Sequence, residues 1–265
     1  MQMKLVSLNV GLPREVTWHG MRVTTGIFKQ PVAGRVMLRR LNLDGDRQAD
    51  LTVHGGEHKA VYCYPLHHYD FWKTQLPGRD LPMGMFGENF TLDFLDQDGR
   101  GTGGGAPLLP DVGRSGSLET SVEPANEVPF EHSIHIGDKF SIGSAEVVVT
   151  QPRLPCYKLG IRFQMDDMVK RFLASGRTGF YLAVLREGEV GAGDELKLIN
   201  QDPPISENTT LPVSEITRLY IAKRYSDVDA RAVRRALQIP ALPESWKGYF
   251  QERLQAMKTA GLTSK

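Results

Sequence analysis

Over its first forty residues the chain alternates hydrophobic and polar positions at short range, with turn residues every few positions. Residues 4–9 predict a strand, and Gly11-Leu12-Pro13 a turn. Residues 15–18 and 21–24 flank His19-Gly20 and predict a hairpin with a two-residue loop. Residues 36–38 and the run after His54-Gly55-Gly56 that begins at Val61 read as further strands. So do residues 87–92 after a turn, 136–143, 145–151, 179–185 and 195–199. The period changes to helical at Leu66, Tyr69, Trp72 and Leu76, which predict a helix over 66–76. Met168, Val169, Phe172 and Leu173 predict another over 166–175, while His67 and His68 read as surface and packing positions. Many strands with close turns favour an α+β, β-barrel-like domain over a doubly wound sheet.

Two stretches break the pattern. Residues 96–131 hold seven glycines between Gly99 and Gly116 and four prolines, a composition expected to form a flexible surface insertion. Residues 200–212, with Pro203-Pro204, read as a linker. Three short helices are then predicted. The first is at 213–223, and the second is opened by a capping box at Ser226 and Asp229 and carries Val228, Ala232, Val233 and Leu237. The third starts at Pro243 and carries Trp246, Phe250, Leu254 and Met257. The organisation is therefore a main domain over 1–205 and a small three-helix domain over 212–262. One apolar stripe per helix is marginal alone, so the small domain is expected to pack on the main body or on another subunit.

Composition changes little in this picture. The 265 residues are 40% hydrophobic, enough for a normal core, and carry a net charge of +1. That balance argues against nucleic acid or membrane as a partner. Lys223, Arg224, Arg231, Arg234 and Arg235 do form a local basic cluster, as a helix-turn-helix would, but the near-zero net charge favours a solvated helix face with salt bridges. Two cysteines, no apolar run of bilayer length and no leader-like start point to a cytoplasmic protein. Exposed sheet edges and the small helical unit suggest a homodimer.

The candidate chemistry centres on Gln151-Pro152-Arg153-Leu154-Pro155-Cys156-Tyr157-Lys158. Pro152 stops the preceding strand and Pro155 stiffens the turn. Cys156 is thus a thiol between two cations, the setting that favours a thiolate; the alternative is a small buried apolar residue. Other polar groups in turns beside strands are Lys29, the 46–50 turn, His54, Lys59 and Asn89. Each alone has a plain structural reading, as a surface charge, a satisfied histidine or an Asx turn. His54 and His58 are four apart, but the glycines between them argue against a helical zinc motif. No P-loop or dinucleotide fingerprint is present.

Together these segments resemble the MOSC domain (molybdenum cofactor sulfurase C-terminal type), of the YiiM-like kind. The resemblance rests on Lys29-Gln30-Pro31-Val32, Gly45-Asp46-Arg47-Gln48-Ala49-Asp50 and His54-Gly55-Gly56-Glu57-His58-Lys59-Ala60-Val61. It continues through Gly87-Glu88-Asn89-Phe90, the 151–159 stretch and the three C-terminal helices. Residues 96–131 lie outside it. It implies a bound molybdenum cofactor, a molybdopterin, with Cys156 as a protein sulfur ligand to the metal. Lys29, Arg153 and Lys158 would meet the pterin phosphate, and His54 and Asn89 pterin edges or cofactor oxygens. His54 or Lys59 would supply a proton. The implied activity is reduction of N-hydroxylated compounds, such as hydroxylaminopurines and hydroxylamines, to amines. No flavin or iron–sulfur motif is found, so electrons would come from a separate flavin or iron–sulfur protein. The alternative is a sulfur carrier or a cofactor-delivery protein using Cys156.

Overall fold

The computed structural model describes residues 2–50, 54–95, 101, 129–199 and 210–259. In chain order the strands are β1 (Gln2–Val10), β2 (Arg14–Trp18), β3 (Met21–Thr25), β4 (Gln30–Pro31), β5 (Arg35–Leu38) and β6 (Val61–Pro65), followed by helix α1 (His67–Gln75). Next come β7 (Phe90–Phe94), α2 (Pro129–Ser133), β8 (Lys139–Ile142), β9 (Ala145–Pro152), α3 (Tyr157–Phe163) and α4 (Met168–Ala174). The chain continues through β10 (Phe180–Arg186), β11 (Gly188–Gly191), β12 (Glu195–Leu198), α5 (Val213–Ile221), α6 (Asp227–Ala236) and α7 (Glu244–Thr259).

Seven strands in the order β12-β8-β9-β10-β6-β7-β1 close into a barrel through β1–β12, and β4 extends the sheet from the end of β1. The expected α+β, barrel-like fold is therefore the observed one. The β6–β7 pair is parallel, which requires a crossover, and α1 supplies it. All the other barrel pairs are antiparallel. β10 alternates between buried and half-buried positions over Phe180–Val184, as a strand with one covered face should. β9 is buried almost throughout because α5 packs against it. The predicted hairpin forms, with Trp18 opposite Met21 and positive φ at His19 (47°) and Gly20 (77°), the backbone a two-residue loop needs.

Several expectations are corrected. The 151–158 stretch runs straight into α3, where only a stiff turn was expected; seven residues with Gly160 among them carry too short a period to register in sequence. Of the two histidines read as surface and packing positions, His68 is a fully buried packing residue and His67 is half-buried. The insertion read over 96–131 ends early: Pro129–Ser133 is helical and Glu131 is fully buried. Residues 96–100 and 102–128 lie outside the described residues. The linker read over 200–212 likewise closes at Leu211, which is buried, and Pro212, which bridges His135; residues 200–209 lie outside the described residues.

The capping box at Ser226 and Asp229 forms as predicted. Of the apolar residues read on α6, Ala232 and Val233 are buried, with Asp229 and Ala236 beside them, but Val228 is 62% exposed. The helices pack on the barrel. Val213, Ile216 and Leu219 of α5 share one apolar cluster with Ile134, Ile136 and Val147, and the cluster extends to Trp246 and Phe250 of α7. Among the described residues, no helix is long and apolar enough to cross a membrane.

Candidate functional site

One end of the barrel gathers the turns that the sequence singled out. β9 stops at Pro152, and the backbone N–H of Arg153 donates to the Gly179 carbonyl at 3.1 Å. Three residues later Cys156 caps α3 with extended backbone (φ −119°, ψ 174°). Its Sγ lies 3.3 Å from Nε2 of His54. The cleft beside them, mouth included, holds about 650 Å³. Among the described residues its wall contains Lys29, Arg47, Arg153 and Lys158 and no carboxylate.

The four cations differ in how they are held. Lys29 is buried and donates from Nζ to Oδ1 of Asp46, a carboxylate lying beneath the wall. Burial lowers the Lys29 pKa against the pull of Asp46. Asp46 also accepts from Gly11 N (2.9 Å) and from Nδ2 of Asn89 (3.0 Å). Asn89 in turn donates to the Asn9 carbonyl (3.2 Å) and accepts from Tyr62 N (3.1 Å). Its carboxamide is thereby engaged by the protein on both ends. Arg153 is 6% exposed, with its guanidinium over Tyr62 (4.5 Å) and Phe172 (5.3 Å) and Nη1 donating to the Tyr62 hydroxyl at 3.2 Å. It pairs with no carboxylate among the described residues. Lys158 is 8% exposed and makes no hydrogen bond or ion pair among them. Buried cations without a counter-charge are rare, because desolvation costs several kcal/mol per ion, to an order of magnitude. Such a wall suits an anionic ligand.

His54 has its pKa lowered, first by burial and then by Lys158 and Lys59, so the ring is neutral at pH 7. Its Nδ1 is buried without a partner among the described residues. Lys59 closes a short 3-10 turn, Glu57–Lys59, and does not line the cleft; burial lowers its pKa. Cys156, His54, Lys29, Asn89, Arg153 and Lys158 are thus brought to one cleft, and Lys59 is not among its lining residues. Residue-level reading missed Arg47, which was visible inside the Gly45–Asp50 turn but not separated from it. It also missed Tyr62 and Tyr181, whose signal is only their place on neighbouring strands.

The close approach of these loops depends on two glycines. Gly84 and Gly87 have φ of 86° and 81°. A Cβ on the first would meet the Lys29 carbonyl oxygen at 2.8 Å, and on the second the Ile27 side chain at 2.8 Å. A second support lies behind Arg153. Oε1 of the buried Glu131 bonds His68 Nε2 (2.7 Å) and accepts from Gly179 N (3.1 Å). The neighbouring Thr178 carbonyl accepts from the Tyr62 hydroxyl (2.9 Å).

Family models place these features. Residues 50–105 and 126–197 match the MOSC domain, and residues 211–256 match the YiiM-like 3-alpha helix domain. The chain belongs to the MOSC family. The uncharacterized protein YflK of Bacillus subtilis is 34% identical over 249 residues, covering 94% of this chain and 93% of YflK. A solved structure of YiiM from Geobacillus stearothermophilus superposes with a TM-score of 0.65 at 31% identity, covering 95% of this chain and 99% of that one. A Gibberella moniliformis protein named "Reductase" is 28% identical over 186 residues, 70% of this chain and 27% of that protein. MOSC domains are associated in general with binding of the molybdenum cofactor. The donor set of this MOSC cleft fits such a group: one thiol, the buried cations Arg153 and Lys158 without a carboxylate, and an imidazole nitrogen without a partner, among the described residues.

Proposed function

We propose that this chain binds a molybdenum cofactor through Cys156 and reduces N-hydroxylated compounds to amines. The observation that supports this is a thiol on the wall of a cleft beside two buried cations, Arg153 and Lys158, that pair with no carboxylate among the described residues. When bound, the cofactor supplies a two-electron redox centre. The net reaction is R–NH–OH + 2e⁻ + 2H⁺ → R–NH₂ + H₂O, with electrons from a separate flavin or iron–sulfur protein. Cys156 offers a soft sulfur ligand, which suits molybdenum better than a hard cation. Arg153 and Lys158 bind anionic oxygens of the cofactor. Lys29, Asp46 and Asn89 act as a brace that sets the cleft floor. Neutral His54 stands beside the thiol and holds an exchangeable proton on one ring nitrogen, a proton-transfer group for the departing oxygen.

The test is metal and pterin analysis of protein made in a host that synthesises the cofactor, alongside reduction of a hydroxylaminopurine with a competent donor. Equimolar molybdenum and pterin are expected, with both metal and activity lost in Cys156→Ser. Full metal occupancy in that variant overturns the ligand assignment. Stoichiometric cofactor with no turnover turns the reading to cofactor delivery.

A further inference from the structure

Arg14 of β2 and Arg162 in the last turn of α3 share one aromatic ring. Their guanidinium carbons lie 3.6 Å and 5.1 Å from the Phe28 centroid. Phe28 sits between Ile27 and Lys29, which both line the cleft. Arg162 is four residues after Lys158, another lining residue, so the two side chains lie on one face of α3. The surface arginines around the barrel are paired: Arg35 with Asp194, Arg39 with Asp44, Arg40 with Glu57, Arg186 with Glu146. Arg14 and Arg162 meet no carboxylate among the described residues, and Nε of Arg162 is buried without a partner. Burial, and then Arg14 itself, work against the charge on Arg162, and the more distant Glu88 and Tyr69 offset them only in part. Stacking on Phe28 favours each cation but does nothing to relieve the repulsion between them. A doubly charged oxyanion relieves it, because guanidinium forks bind phosphate oxygens in pairs.

We propose that Arg14 and Arg162 form a phosphate-ester subsite beside the cleft, linked through Lys158 to the cations around Cys156. From Cys156 to Arg162 the helix rises by about 9 Å, a span for a ligand with its ring at the thiol and its phosphate at the arginines. The phosphate belongs either to an N-hydroxylated nucleotide substrate or to the cofactor. The inference extends the proposed function, yet its test does not require turnover.

Binding of adenosine 5′-monophosphate and of adenosine to the purified chain is measured by calorimetry, for wild type, Arg14→Gln, Arg162→Gln and the double variant. Pterin content is measured on the same samples. A nucleotide advantage of about tenfold or more in wild type, lost in the variants with pterin unchanged, places a substrate phosphate there. Pterin lost from the variants places the cofactor's phosphate there. Unchanged pterin together with an unchanged nucleotide-to-nucleoside ratio overturns the subsite and leaves the arginines as a clamp on Phe28. Arg14 is exposed, so Arg14→Gln remains a fair probe if changes at Arg162 disturb folding. Metal analysis of the wild type separates failure of the subsite from failure of the reductase reading.

Discussion

Lys29 and Arg153 are both buried cations on one cleft, and their surroundings give them opposite roles. Lys29 is neutralised by Asp46, so its charge is spent inside the protein. Removing Asp46 alone strands that charge, and Asp46→Ala is expected to cost about 3–5 kcal/mol in denaturant unfolding. The paired change Lys29→Met with Asp46→Leu removes both charges and is expected to recover most of that loss. If it does not, the Asn89 and Gly11 bonds to Asp46 matter more than the ion pair. His67 gives a pH test. Burial, with His68 and Arg177 adding to it, pushes its pKa from 6.5 down to about 3. Above pH 6.5 both folded and unfolded states hold it neutral. Below that only the unfolded state takes a proton, so stability falls as pH drops toward 3. His67→Gln is expected to flatten that fall by up to about 1.4 kcal/mol per pH unit. Chemical denaturation from pH 7 to pH 4 reads it, and an unchanged slope refutes it.

At the scale of elements, the junction of β9 and α3 does the positioning. Pro152 ends the strand, the Arg153 amide ties to Gly179, and Cys156 opens the helix. The start of β10 is fixed in turn by Glu131 and His68, on α2 and α1. Glu131→Leu leaves the Gly179 N–H and the His68 ring without that acceptor, and is expected to cost about 1–3 kcal/mol or more. If the network also aims Arg153, the variant weakens anion binding in the cleft beyond what its lower stability explains. Nucleotide affinity measured well below the melting temperature checks this. In α6 the capping box predicts a smaller effect: Ser226→Ala is expected to cost about 1 kcal/mol, read as a lower melting temperature.

At the scale of the whole molecule, the three helices and the barrel share one core, with Ile134, Ile136, Val147 and Ile216 in one cluster. Unfolding is therefore expected as one calorimetric transition; two separated transitions would show that α5 to α7 fold independently. The sequence by itself determined the strand-rich barrel, the hairpin at His19-Gly20, the helical period of α1 and the cap of α6. These are written in local alternation and turn chemistry, which act over a few residues. It also marked the turns that meet in the cleft, because polar side chains beside strands have no core role. Only the tertiary structure decided which of those side chains are already satisfied. Asn89 is engaged by Tyr62, Asn9 and Asp46, residues from 27 to 80 positions away. Arg153, Lys158, Arg14 and Arg162 pair with no carboxylate among the described residues. Glu131, at the end of a glycine-rich run, is buried against His68, 63 positions away. Whether a charge is paired, and whether a polar residue is buried, depends on distant segments brought together by closure of the barrel, and no local pattern encodes it.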